Sequence, residues 1–232
     1  MSFDRQQMQT VAQALRPQLQ EHLREPQTAG HLQSLQQSAQ KLVVHAKRAN
    51  DPATARVAEA LVALLNDLRD RAGTRTASTA RTLAQAVDLL VRRAATSTPV
   101  AKDPFAGVRG LAVDDDEVTL RTTRAALEKA GFAVTAVTSG ADALGQAQKN
   151  QFQFVLTDIM MPGMSGLELC SALRKLPAYK KTPVIFVTSA ADFENRAQAV
   201  LSGGNDLIAK PFVFSELVLK ALILMVKAAQ TT

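Results

Sequence analysis

The sequence has little cysteine, no secretion signal and no long apolar run. It contains one cysteine, Cys170, so no disulfide bond can form within the chain. Its first residues, MSFDRQQMQT, lack the charged and then apolar order of a secretion signal. The apolar run at 217–226 is interrupted by Lys220 and is shorter than the roughly 20 residues that a membrane span needs. These absences predict a protein of the reducing cytoplasm that does not insert into a membrane.

Signatures of nucleic-acid binding are also missing. The sequence has no zinc-finger spacing and no basic run longer than a pair. Residues 1–97 nevertheless carry 13 Lys and Arg against 8 Asp and Glu, whereas residues 98–232 carry 14 against 13. This uneven charge favours an acidic protein surface over nucleic acid as the partner of the N-terminal part.

Residues 1–95 are predicted to form an all-α four-helix bundle. A leading helix starts at about Phe3, and three further helices each carry an apolar stripe with helical spacing. The stripes consist of Leu32, Leu35, Ala39, Leu42, Ala46 and Ala49, then of Val57, Leu61, Leu64, Leu65 and Leu68, and finally of Leu83, Val87, Leu90 and Val91. Breaks at 26–30, 50–52 and 72–78 leave short connections, which are typical of an up-and-down bundle.

A second domain is predicted at 108–232, after a polar linker at 96–107 that contains Pro99 and Pro104. Strand-like runs there alternate with helical stretches. The strands are predicted at 108–113, 133–137, 152–157, 184–188 and 207–209, and the helices at 117–130, 141–149, 167–176, 193–201 and 215–229. Five strand-and-helix units predict an α/β fold with a doubly wound, five-stranded parallel sheet.

Residues that carry charge or hydroxyl groups stand at the strand ends of this predicted sheet. Asp114 and Asp115 follow the first strand, Asp158 the third, Thr188 ends the fourth and Lys210 follows the fifth. The carboxyl ends of parallel strands are where such sheets bind ligands. Converging carboxylates repel one another unless a cation neutralises them, and Mg²⁺ prefers oxygen ligands and keeps positions open for phosphate. The pattern predicts a magnesium site that receives a phosphoryl group.

The motifs VDDDE, TDIMMPGMSGLEL, FVTSA and AKPF resemble those of the receiver domain of two-component response regulators, in the same order and at the same strand ends. The resemblance covers residues from about 107 to 229 and implies a flavodoxin-like receiver fold. It implies that Asp158 is the phosphoryl acceptor and that Thr188 and Lys210 contact the phosphoryl oxygens. The implied Mg²⁺ ligands are Asp114, Asp115, Asp158 and the backbone carbonyl of Met160.

Five further positions around this site have a specific interpretation. Asp116 is expected to cap the first helix of the sheet domain, and Pro211 to follow a cis peptide bond. Leu207 stands where many receivers have an aromatic residue that couples phosphorylation to the output surface. Met160 and Ala190 are apolar where relatives can have polar residues that position the hydrolytic water. These two substitutions predict slow self-dephosphorylation.

The helices at 32–94 resemble the phosphotransfer domain of chemotaxis-type histidine kinases, through VAEALVALLNDLRD and TLAQAVDLLVRR. The resemblance places Gln40 where the phosphorylated histidine belongs, Val43 and Val44 at the following lysine and glycine, and Val62 at a supporting glutamate. Because an amide cannot take the phosphoryl group, we expect a pseudo-phosphotransfer domain that acts by binding. His45 is the nearest alternative acceptor, and an unrelated dimerisation or docking module is the other interpretation.

The whole chain is therefore predicted to be a response regulator rather than an enzyme. It would accept a phosphoryl group from a sensor histidine kinase or a phosphotransfer protein and act through protein–protein interaction. One alternative is the regulatory part of a larger enzyme such as a diguanylate cyclase, and another is an internal phosphorelay through a bundle histidine. The last helix has more apolar surface than one buried stripe requires, so a second copy, the bundle or a further domain should cover it.

Overall fold

The computed structural model describes residues 3–26, 28–71, 76–96, 103–189 and 202–229. These residues form two compact units. One unit contains four N-terminal helices and the last helix, and the other contains the sheet with its remaining helices. The predicted helix at 193–201 and half of the predicted linker at 96–107 lie outside the described residues.

The helical unit begins with four helices, which confirms the predicted bundle. They are α1 (Phe3–Arg24), α2 (Ala29–Arg48), α3 (Pro52–Asp70) and α4 (Ala77–Ala95). Helix α1 packs against α2 and α4, and α3 packs against the same two helices. The predicted stripes face this core, and Leu35, Leu42, Leu61 and Leu64 have no exposed surface. No helix in the described part of the chain is long and apolar enough to cross a membrane.

A buried ion pair joins the start of α3 to the end of α4. The Asp51 side chain caps α3 by accepting hydrogen bonds from the backbone N–H and the hydroxyl of Thr54, and Arg93 donates to Asp51 at 2.8 Å. Burial opposes ionisation of Asp51, but the Thr54 donors and the Arg93 guanidinium outweigh it and lower the pKa of this carboxyl group. The pair fixes how these two helix ends meet.

The sheet unit contains five parallel strands in the order β2-β1-β3-β4-β5, as predicted for a doubly wound sheet. The strands are β1 (Arg109–Val113), β2 (Ala133–Val137), β3 (Phe154–Asp158), β4 (Val184–Ser189) and β5 (Asp206–Lys210). The helices of this unit are α5 (Glu117–Lys129), α6 (Gly140–Lys149) and α7 (Gly166–Lys175), and a short 3₁₀ helix spans Pro177–Tyr179. Strand β3 is buried along its whole length, as expected for the centre of such a sheet.

The last helix, α8 (Phe214–Ala229), belongs to the helical unit. Most of its apolar side chains are buried, and Leu217, Leu219, Leu222, Ile223 and Val226 are each at most 3% exposed, whereas Val218 and Leu224 are partly exposed. The chain itself therefore covers most of the surplus apolar surface of this helix. The domain division predicted from the sequence, with residues 108–232 as one domain, stays a prediction, and the two compact units differ from it at α8.

Candidate functional site

Three carboxylates meet at the carboxyl end of the sheet. Asp114 directly follows β1 and Asp158 ends β3, and the register pairs Val113 with Thr157 just before them. One oxygen atom from each of Asp114, Asp115 and Asp158 can be chosen so that all lie within 4.8 Å of one another. Asp114 and Asp158 are buried, whereas Asp115 is exposed to solvent. The structure thus brings together the carboxylates that the motifs indicated.

Lys210, the last residue of β5, reaches into this cluster. Its Nζ donates to Asp158 Oδ2 at 2.5 Å and to Asp114 Oδ2 at 3.3 Å. Burial lowers the pKa of Lys210, but the hydrogen bond and charge of Asp158 and the charge of Asp114 outweigh it and raise the pKa overall. Lys210 therefore carries its positive charge at neutral pH.

The local charge is not balanced by this one ammonium group. Burial is the largest influence on Asp114 and raises its pKa, with the Asp158 charge acting in the same direction. The backbone N–H of Asp116 and the Lys210 charge act against this shift. Three carboxyl groups thus face one lysine side chain, an excess of acidic groups that favours the binding of a further cation.

Backbone contacts fix the carboxylates in place. The N–H of Met160 donates to Asp158 Oδ1 at 3.1 Å, and the N–H of Asp116 donates to Asp114 Oδ1 at 3.0 Å. The Asp116 side chain caps α5 through the N–H of Thr119, as predicted. The predicted cis peptide bond between Lys210 and Pro211 is also present.

Helix α7 begins directly against the end of β3. The N–H of Gly166 donates to the carbonyl of Ile159, and a Cβ atom on Gly166 would lie 2.0 Å from the backbone oxygen of Asp158. A capping box between Ser165 and Glu168 starts the helix at this point. The sequence motif alone assigns no role to Gly166, although a glycine three residues after the Pro162-Gly163 turn is a signal of close backbone approach.

Thr188 supplies a hydroxyl group at the same end of the sheet. It lies on β4, one residue after the Val187 that pairs with Asp158, and is 2% exposed. Its Oγ1 has no hydrogen-bond partner among the described residues. A buried hydroxyl without a partner is costly, so this atom is suited to a ligand that binds at the strand ends.

The positions that depart from the receiver pattern have different surroundings. Met160 is 67% exposed beside the carboxylates, so it contacts solvent at the site. Leu207 is partly buried and packs against the core of the sheet unit. Ala190 lies outside the described residues.

The bundle residues considered for phosphotransfer do not form a comparable cluster within the described part of the chain. Gln40 is exposed on α2, and His45 Nδ1 lies 3.1 Å from Asp4 Oδ1. His22 is buried, with 3% of its surface exposed. The phosphotransfer-like interpretation of the bundle therefore stays a prediction.

Comparison with known proteins gives a consistent result for the second half of the chain. Residues 111–222 match the response regulator receiver domain family. The chain is 34% identical over 122 residues to the transcriptional regulatory protein ResD of Bacillus subtilis, a match that covers 53% of this chain and 50% of ResD. The chain spans about half the length of the curated relatives that it matches.

Two solved structures share the fold of this part. A Chloroflexus aurantiacus protein assigned as a response regulator is 32% identical with a TM-score of 0.50, over 52% of this chain and 98% of that protein. A CheY-like receiver domain protein from Methanospirillum hungatei is 28% identical with a TM-score of 0.52, over 55% of this chain and all of that protein.

Proposed function

Because the chain belongs to the response regulator receiver family, we propose that it is a signalling protein that accepts a phosphoryl group on Asp158. The observation that carries this proposal is the position of Lys210, which contacts both Asp158 and Asp114 from a different strand. A lysine shared by two carboxylates at strand ends is suited to hold an anionic group that arrives between them. Thr188 adds a buried hydroxyl on the intervening strand.

The donor set fits a magnesium ion. Asp114, Asp115 and Asp158 offer carboxylate oxygens within 4.8 Å of one another, and one of the three residues is open to solvent. Mg²⁺ is usually held by one or two carboxylates and completes its shell with water and phosphate oxygens. We assign these carboxylates and the backbone carbonyl of Met160 as its ligands. The ion would neutralise charge on the incoming phosphoryl group.

The residues of the chain have separate tasks in this transfer. A carboxylate oxygen of Asp158 attacks phosphorus in line, the bond to the donor breaks as the new O–P bond forms, and the donor nitrogen keeps the electron pair. The Met160 N–H orients the Asp158 carboxylate through Oδ1. Lys210 Nζ passes from Asp158 Oδ2 to a phosphoryl oxygen, and the Thr188 hydroxyl donates to another.

The donor is a separate histidine kinase or phosphotransfer protein in the cytoplasm. The motif position for an active histidine in the bundle is occupied by Gln40, which supports a bundle that acts by binding. A bundle that acts by binding would transmit the signal by contact with a partner protein. The excess of Lys and Arg over Asp and Glu in residues 1–97 favours an acidic partner.

Intact-mass measurement after incubation with acetyl phosphate and Mg²⁺ tests the assignment of Asp158. The unchanged protein should gain one phosphoryl group, Asp158→Ala should gain none, and removal of Mg²⁺ by a chelator should abolish the addition. Asp70→Ala, which removes an exposed carboxylate of α3, is the matched control and should still be phosphorylated. Addition to the Asp158→Ala protein at the normal rate would show that another residue is the acceptor, and no addition to the unchanged protein would indicate a pseudo-receiver that acts as a scaffold.

A further inference from the structure

Exposed apolar side chains are concentrated in two places of opposite charge. Among the described residues, five large apolar side chains are exposed. Phe3 and Val44 belong to the helical unit and lie near exposed lysine and arginine residues. Val118 and Met160 belong to the sheet unit and lie near exposed carboxylates. Exposed apolar groups rimmed by charged residues are typical of surfaces that bind a partner.

The first of these places lies where the start of α1 meets the end of α2. His45 Nδ1 lies 3.1 Å from Asp4 Oδ1. Phe3 and Val44 directly precede these two residues, so both apolar side chains lie at the same end of the helix pair. Phe3 is 70% exposed and Val44 is 46% exposed.

Two cations share the exposed face of α2 with Val44. Lys41 stands three residues before it and Arg48 four residues after it, and both are exposed. Neither forms an ion pair within the described part of the chain, whereas Lys47 is paired with Glu59 at 2.6 Å. We call these residues the basic patch, which consists of Phe3, Lys41, Val44 and Arg48.

The second place is the rim of the carboxylate cluster. Val118 is exposed in the first turn of α5, directly after three exposed acidic residues. Met160 borders the same cluster, because its N–H donates to Asp158. We call these residues the acidic patch, which consists of Asp115, Asp116, Glu117, Val118 and Met160.

We infer that the basic patch binds the acidic patch of a second copy of this chain. The two patches have opposite charge, and each presents two exposed apolar side chains that the other can remove from water. Two identical patches would instead bring charges of the same sign together, which is unfavourable. The contact therefore joins unlike surfaces of the two copies. The inference rests on the proposed function in one respect, since it names the acidic partner that the bundle binds.

Sedimentation velocity of the full-length protein over a range of concentrations tests this inference. A chelator in the buffer keeps divalent cations from offsetting the charge of the acidic patch. The unchanged protein should pass from the mass of one chain to that of two or more copies as its concentration rises. Lys41→Glu with Arg48→Glu and, separately, Glu117→Arg should each weaken this association by about tenfold or more, because each places charges of the same sign opposite each other.

The control is Arg24→Glu with Lys175→Glu, which changes the net charge by as much as the reversal at Lys41 and Arg48. Both control residues are exposed and lie outside the two patches, at the ends of α1 and α7. The control protein should associate like the unchanged protein. Circular dichroism checks that each variant is folded, as expected because every changed residue is exposed.

A mixture of the two reversed proteins is the decisive measurement. The protein with Lys41→Glu and Arg48→Glu keeps the original acidic patch, and the protein with Glu117→Arg keeps the original basic patch. The mixture should therefore form mixed dimers at concentrations where each protein alone is monomeric.

Three results would overturn the inference. They are an unchanged protein that stays monomeric at every concentration, reversed proteins that associate as well as the unchanged protein, and a mixture of the two that stays monomeric. Association needs no phosphodonor, so association without phosphoryl addition to Asp158 would overturn only the proposed function. Phosphoryl addition to a protein that stays monomeric would overturn only this inference.

Discussion

Replacing Gly166 by alanine would test how closely α7 approaches the phosphoacceptor strand. The new Cβ would lie 2.0 Å from the backbone oxygen of Asp158, whereas ordinary contacts begin at 3.4 Å. The contacted atom belongs to the backbone of a buried strand, so no side-chain rotation can relieve the overlap. Either α7 or the end of β3 must therefore move by more than about 1 Å.

The expected loss of stability is the difference of two opposing effects. Helix propensity alone favours alanine over glycine by about 1 kcal/mol. Overpacking against an atom that cannot rotate away costs about 3 kcal/mol, at the upper end of the usual range. We therefore expect the unfolding free energy of the sheet unit to fall by about 2 kcal/mol in Gly166→Ala.

Tyrosine fluorescence during urea unfolding measures this loss of stability, because the signal reports on the sheet unit. The sequence has no tryptophan and one tyrosine, Tyr179, which is buried in the sheet unit. Gly145→Ala is the control, because no atom lies within 4 Å of its added Cβ, and it should be neutral or slightly stabilising. Equal or greater stability of Gly166→Ala would refute the steric argument.

The same substitution should slow phosphorylation more than its effect on stability suggests. A displacement of about 1 Å at a reacting group can cost about 100-fold in rate. Initial rates of phosphoryl addition from acetyl phosphate, measured well below the denaturation range, should fall by about tenfold to 100-fold in Gly166→Ala and stay normal in Gly145→Ala. A normal rate in a destabilised protein would show that the strain is absorbed by α7.

Four further predictions concern other residues. Met160→Gln should shorten the lifetime of the phosphorylated protein, because it places a polar group at the site. The control Val118→Gln, at another exposed apolar residue, should leave the lifetime unchanged. An unchanged or longer lifetime in Met160→Gln would contradict a role for the apolar side chain in slow dephosphorylation. Arg93→Met leaves Asp51 buried without its cation and should destabilise the helical unit by about 3 kcal/mol in thermal unfolding followed by circular dichroism. The pKa of Asp51 is lowered on folding, so ionised Asp51 stabilises the helical unit above the ordinary carboxyl pKa. This stabilisation should be lost as the pH falls below about 4. Stability of the helical unit that stays constant down to pH 2 would contradict this role of Asp51. Asp116→Ala should lower the urea concentration at the unfolding midpoint, followed by tyrosine fluorescence, since it removes the cap of α5. An unchanged midpoint would show that the cap is dispensable.

The sequence predicted the sheet and its acidic end because both depend on local signals. Buried parallel strands are continuous apolar runs, and the residues that follow them must lie at one edge of the sheet. Asp114, Asp158 and Lys210 could therefore be placed together before any distance was known. The strand boundaries were less certain, since β3 begins at Phe154 and ends at Asp158 rather than covering 152–157.

The environment of α8 could not be predicted in the same way. Glu216 and Lys220 are four residues apart on a helix, which is the usual pattern of an exposed ion pair, yet neither has exposed surface. What decides their burial is the set of contacts that α8 makes with distant segments, such as the hydroxyls of Ser78 and Thr82. Small hydroxyl residues on α4 carry no signal of a carboxylate partner so far along the chain.

The membership of α8 in the helical unit has a consequence for synthesis on the ribosome. Helices α1 to α4 are made first, but α8, whose Glu216 accepts hydrogen bonds from Ser78 and Thr82 of α4, is made about 120 residues later. At an elongation rate of about 5–20 residues per second, α8 is synthesised on the order of ten seconds after α4. During that time the entire sheet unit is translated, so the first domain to emerge is the last to be completed.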